Sequence, residues 1–144
     1  MYLTLKQQVK HLSKKEFRNL KYLSYIAKNL TNEAIYNIRQ YYFNKKKYLS
    51  YNENYKMLKN SENYKKLNSN MAQQILKEVD GSFKSFFALL KLAKNGQYNF
   101  KDIKLPKYLA KDGFTCCFNV KYIDITSFSS EILYYISYIL SIKK

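Results

Sequence analysis

One long uninterrupted segment constrains this chain more than any other feature. From Ser13 to Phe43 there is neither glycine nor proline. The segment opens on Ser13 and Glu16, spaced as a capping box in which each side chain satisfies the other's backbone amide. A helix is therefore predicted from about Lys14 to about Phe43. Phe17, Leu20, Leu23, Ala27, Leu30, Ala34, Ile38 and Tyr41 recur at spacings of three and four and share one face. At ~1.5 Å per residue such a helix approaches roughly 45 Å. The opposite face holds Arg18, Tyr22, Tyr25, Asn29, Asn32, Tyr36 and Arg39. Both arginines of the chain thus fall on one face with tyrosines between them. That suits phosphate contact with base or sugar stacking, and equally suits packing of the tyrosines on a neighbouring helix.

A second amphipathic segment follows at "NSNMAQQILKEVDGSFKSFFALLK", 68–91. Ser69 or Asn70 is its expected cap and Gly96 its expected end. Ala72, Ile75, Leu76, Val79, Phe83, Phe86, Phe87 and Leu90 share one broad face. Lys77, Lys84 and Lys91 lie nearly opposite, and a seven-residue spacing drifts only about 20° per step. Gly81 and Ala88 lie on the same side, and small residues between lysines let another backbone approach. A mid-helix glycine costs about 1 kcal/mol relative to alanine. This side is therefore expected to meet something anionic and bulky. Between the two segments, residues 44–70 are rich in Lys, Asn and Tyr. Short helices are predicted at Glu53–Lys59 and Glu62–Leu67, and Lys45–Lys47 reads as a basic loop.

The two ends differ in character. "MYLTLKQQVK" alternates as a strand does. After Gly96 come Pro106, a turn at Lys111-Asp112-Gly113 and a β-rich run from Phe114 to Ile125. A strand at each end predicts a small sheet from which the helical part projects. The expected class is mainly α with a small β component. The expected division is 1–12 with 97–125 as the β region, 13–96 as a helical lobe, and 126–144 as an apolar tail.

At 144 residues the chain is one domain, or one domain plus a tail. Its 26 Lys and Arg oppose 10 Asp and Glu, a formal charge of +16. Nucleic-acid phosphate is the commonest target of such an imbalance, and an anionic membrane surface is the second. The 16 Tyr and 9 Phe favour the first, because aromatic rings stack on bases. Cys116 and Cys117 are adjacent, and there is one His. That excludes the usual zinc spacings and reads as reduced thiols of a cytoplasmic protein. No signal peptide is visible, and Ile132–Ile142 is too short to span a bilayer comfortably. No cofactor, metal or small-molecule substrate is expected.

Three ordered blocks carry a family resemblance: "LSKKEFRNLKYLSYIAKNLTNEAIYNIRQYYF" (12–43), "NMAQQILKEVDGSFKSFFALLK" (70–91) and "LPKYLAKDGF" (105–114). Over roughly Tyr2 to Phe118 the chain resembles the N-terminal portion of the TnpB (OrfB) proteins, transposon-encoded RNA-guided DNA nucleases related to type V CRISPR effectors. The resemblance implies a long-helix recognition lobe inserted between strands of a partial wedge-type β-barrel, with Leu105 onward returning to the barrel. It implies guide-type RNA and DNA as partners, and a full-length relative as a further candidate. Carried across by position, Arg18, Arg39, Lys77 and Lys84 would face the guide–target duplex or guide RNA. Lys6, Lys10, Lys104 and Lys107 would lie near the wedge and its RNA. Tyr25, Tyr36 and Lys91 complete the candidate nucleic-acid-binding set on the strength of their helix faces.

The departure from the family is as informative. Its nucleases carry a RuvC-like acidic triad and a four-cysteine zinc element, and neither is recognisable here. Two-metal phosphodiester hydrolysis needs a carboxylate cluster. The late acids are Asp102, Asp112, Asp124 and Glu131, without strands to converge them. The expectation is a nucleic-acid-binding fragment without catalytic residues of its own, a truncated or frameshifted remnant of a longer gene. The alternative is a basic membrane-surface or partner-binding protein that uses the tail. An intact small transposition enzyme is a third reading, for which no nucleophile with a partner base is evident.

Overall fold

The computed structural model describes residues 12–113 and 115. The long uninterrupted segment forms α1, Lys14–Lys45, and its capping box is present in both directions: Ser13 Oγ accepts from the Glu16 amide and the Glu16 carboxylate accepts from the Ser13 amide. α1 ends where Lys46 takes the left-handed conformation (φ 54°) and its amide donates to the Tyr42 carbonyl. α2 (Tyr51–Leu58) and α3 (Glu62–Lys65) start at Ser50 and Ser61, each of which accepts an amide hydrogen bond of the first turn. α4 spans Ser69–Lys94 and is capped by Asn68, whose side chain accepts from the Asn70 amide. The cap thus sits one residue before the earliest expected position. Gly96 follows the helix with φ 74°, the conformation that favours glycine.

α4 runs in the same direction as α1. Ile75 and Val79 share a groove with Thr31 and Ile35, and one level further along Phe87 packs on Tyr42 with tilted rings 5.0 Å apart between centres. α2 and α3 make the return between them: the Asn54 side chain bonds Asn37 and the Ala34 carbonyl, and Asn63 bonds Glu33. The core lies between α1 and α4, with Ile26, Leu30, Ala34 and Ile38 on one side and Ala72, Ile75, Leu76 and Phe83 on the other. Fully burying one such large apolar side chain stabilises the fold by about 1.5–3 kcal/mol. Leu49, Leu58, Tyr64 and Leu67 close the core from the α2–α3 side. Phe17, expected on the apolar face, is instead 58% exposed, and Ile26 and Ile35, absent from the expected stripe, are buried.

No β component is found among the described residues. Among the described residues 71% are helical and none is in a strand, so the wedge-type barrel expected from the resemblance is corrected. Of the predicted strands, 1–10 and 114–125 lie outside the described residues apart from Thr115. The segment 103–113, assigned to the barrel, has no regular secondary structure apart from the expected turn at Lys111-Asp112, and pairs with no strand among the described residues. The reason is visible in α1. Ser24, Lys28 and Asn32 stand four residues apart, in one column. Ser24 Oγ donates to the Thr115 carbonyl at 2.6 Å and Lys28 Nζ to the Lys111 carbonyl at 2.6 Å. Asn32 Nδ2 donates to the Leu109 carbonyl at 3.1 Å, and the Leu109 amide donates back to Asn32 Oδ1 at 2.8 Å. Helix side chains thereby supply hydrogen bonds that a sheet ladder would otherwise provide. The segment descends antiparallel to α1, and Leu105 packs on the core.

Candidate nucleic-acid interface

The descending segment reshapes the face of α1 that carries the arginines and tyrosines. It divides the surface into separate clefts and buries part of what the helical wheel leaves open. The first cleft, about 580 Å³, lies at the N-terminal half of α1. Arg18, Lys21, Tyr22 and Tyr25 line one wall, and Lys111, Asp112 and Gly113 the other. Tyr22 and Tyr25 are both exposed. Arg18 Nε donates to the Lys14 carbonyl at 3.2 Å, which orients the guanidinium along the helix. Lys28 is buried, with Nζ 4.3 Å from the centre of the Tyr25 ring, so a cation backs that ring. Three cations against one carboxylate give this cleft a positive balance, and its rings offer stacking surface.

The second cleft, about 490 Å³, lies further along α1 towards α2 and α3. Tyr36 and Tyr108 line it with Asn29, Glu33 and Asn63. Arg39 stands beside it with its guanidinium 4.8 Å from the centre of the Tyr108 ring. Arg39 therefore does not share a cleft with Arg18; the two arginines stand at different clefts. Asn32, on the same face in the sequence, is committed to holding Leu109.

The lysine stripe lies on α4, away from both clefts. Lys77, Lys84 and Lys91 are exposed, as are Gly81 and Ala88 between them. A Cβ added at Gly81 would meet nothing within 4 Å, so packing inside the described chain does not require this glycine. Lys84 differs from its neighbours. Its Nζ is 2.7 Å from Asp80 Oδ2, and Asp80 is buried. Asp80 also accepts a short hydrogen bond from the Tyr48 hydroxyl. Burial, with the hydrogen bond and charge of Asp80, pushes the Tyr48 phenol well above its ordinary range. Tyr48 thus stays neutral and pins the loop before α2 to α4. Lys84 shares its charge with this pin, which leaves Lys77 and Lys91 as the less neutralised charges of the stripe.

Of the remaining candidates, Lys104 and Lys107 are exposed on the descending segment, and Lys107 lines the groove between α1 and α4. Lys6 and Lys10 lie outside the described residues. Lys21, Lys111, Tyr108 and Glu33 were not singled out from the sequence. Lys111 and Tyr108 reach their clefts only through the path of the descending segment. The one signal for that path was the column Ser24, Lys28, Asn32, polar positions at helical spacing beside an apolar stripe.

Among the described residues no group of three or more His, Cys, Asp or Glu side chains could hold a metal ion. Among the same residues no helix is long and apolar enough to cross a membrane. No family model, no curated protein and no solved structure matches the chain.

Proposed function

We propose that this chain is a nucleic-acid-binding helical module, akin to the recognition lobe of TnpB-like proteins, that engages guide-type RNA and guide-paired DNA without cutting them itself. The observation that carries the reading is the first cleft: Arg18, Lys21 and Lys111 converge on exposed Tyr22 and Tyr25. Cations that hold phosphate next to rings that stack on bases are the two parts of sequence-tolerant nucleic-acid binding. The net charge of +16 supports it at longer range by steering polyanions to the surface. The order and spacing of the blocks at 12–43, 70–91 and 105–114 support the TnpB-like assignment, and the scarcity of acids supports binding without hydrolysis.

In this reading Lys77 and Lys91 form a second phosphate-contacting row on α4. Base pairing of a guide, rather than these side chains, carries sequence choice. The test is binding of the purified chain to duplex DNA and to a structured RNA across a salt series. Each phosphate neutralised on B-form DNA contributes about 0.9 to the slope of log affinity against log salt, so a slope of about −3 or steeper is expected. The DNA should remain intact with Mg²⁺ present. An affinity flat between low and moderate salt would refute the binding reading. Mg²⁺-dependent cleavage that copurifies with the chain would refute the inactive one.

A further inference from the structure

The second cleft contains a group that the binding of phosphate does not use. Glu33 sits at mid-α1. Its Oε1 accepts from Asn63 Nδ2 at 2.6 Å, while Oε2 is buried with no hydrogen-bond partner among the described residues. An unsatisfied buried carboxylate oxygen is costly and calls for a partner. Glu33 lines the cleft, and its terminal torsion is the soft one, so a turn of the carboxylate exchanges which oxygen bonds Asn63 and which is offered to the cleft. Around it stand Tyr36 and Tyr108, 54% and 44% exposed, and Arg39 backs Tyr108.

We propose that this cleft receives one unpaired nucleobase bearing an exocyclic amino group, stacked on Tyr36 and Tyr108 and donating that amino N–H to Glu33. The inference rests on the nucleic-acid-binding reading and adds base selectivity to it. A carboxylate only accepts, so it pairs with the amino groups of adenine, cytosine or guanine. Uracil has no exocyclic amino group; its single N3–H lies between two carbonyl oxygens that face the carboxylate, so it is disfavoured. In a duplex the amino group is engaged in pairing, so the base must be splayed out of a loop, bulge or single strand. Arg39 then lies close enough to the ring platform to meet the adjoining phosphate.

The experiment is fluorescence anisotropy of the full chain with short single-stranded uridine oligonucleotides, either unmodified or carrying one central adenosine or cytidine. One added hydrogen bond to a charged acceptor corresponds to about tenfold or more tighter binding of the substituted strands. Glu33→Gln can donate as well as accept, and is expected to bring the strands within about twofold of each other, by that same hydrogen bond, with the salt slope unchanged. Tyr108→Ala, at an exposed position that leaves Glu33 in place, is expected to weaken binding of the substituted strands by about tenfold. Equal wild-type affinity for all strands would overturn the pocket and leave the module reading standing. A preference that survives Glu33→Gln in a folded variant would overturn the pocket as well. Failure of the wild type to bind any strand or duplex would overturn the module reading itself.

Discussion

Asn32→Ala tests the link on which both clefts depend. The asparagine amide makes two hydrogen bonds to the backbone of Leu109, at 3.1 Å and 2.8 Å. Each such bond contributes about 0.5–1.5 kcal/mol, so the substitution should cost about 1–3 kcal/mol in urea denaturation. That is a sizeable share of the roughly 5–15 kcal/mol that holds a typical domain together. The loss should be local as well as global. Amide hydrogen exchange should accelerate at Leu109 and its neighbours before it changes in the α1–α4 core. Nucleic-acid affinity should fall too, although no cation has been removed, because Tyr108 and Lys111 leave their clefts with the segment. Gln40→Ala, at an exposed position of the same helix, is the control and should stay within about 0.5 kcal/mol. A loss of less than about 0.5 kcal/mol for Asn32→Ala, with Leu109 exchange unchanged, would show that helix side chains do not hold this segment.

Three further outcomes are expected. Lys77→Gln and Lys91→Gln should each lower the salt slope on B-form DNA by up to about 0.9, Lys84→Gln by less because Asp80 already neutralises part of its charge, and a triple change in Lys45–Lys47, which spans the end of α1 rather than the expected loop, least of all; a Lys45–Lys47 triple that costs more than Lys77→Gln with Lys91→Gln would make the stripe a merely solvated face. Gly81→Ala should stabilise α4 by about 1 kcal/mol in thermal or urea unfolding, and should weaken binding if a partner backbone approaches there; a destabilised variant would contradict the open space around that residue. The Glu53 carboxylate is held below the usual carboxylate range by the Ser50 amide and hydroxyl. Its folded pKa is the lower one, so its contribution is present above the unfolded pKa and is lost as pH falls towards the folded value. Ser50→Ala should therefore show a smaller acid-induced loss of stability than the parent, measured by urea denaturation from neutral pH downward.

Local signals were the legible part of the fold. The Ser13–Glu16 pair marked the start of α1, because a capping box needs only residues three apart. The apolar faces of α1 and α4 were readable from periodicity for the same reason. The short helices expected at Glu53–Lys59 and Glu62–Leu67 are found at Tyr51–Leu58 and Glu62–Lys65, the first beginning two residues earlier because Ser50 caps it. Long-range partners were not legible. Phe17 fits the apolar stripe but is exposed among the described residues, and Ile26 and Ile35 are buried because α1 is covered on more than one flank. Residues 103–113 fell within the expected β region, yet Lys111 and Leu109 bond through their backbone to Lys28 and Asn32 of α1, and Thr115 just beyond bonds to Ser24. Arg18 and Arg39 share a helical face, but the descending segment runs beside that face and gives each its own surroundings. The buried Oε2 of Glu33 could not be read at all, since it depends on where Asn63 falls after two turns of the chain.

The central claim, that phosphate is met by particular cations of α1, α4 and the descending segment, is most directly tested by lysine footprinting. Acylation rates of individual lysines are read by mass spectrometry, with and without saturating structured RNA at low salt. Lys21 and Lys111 of the first cleft, and Lys77 and Lys91 of the stripe, are expected to be protected, while Lys45–Lys47 keep their free rates. Uniform rates across the chain, or protection confined to Lys45–Lys47, would contradict the account.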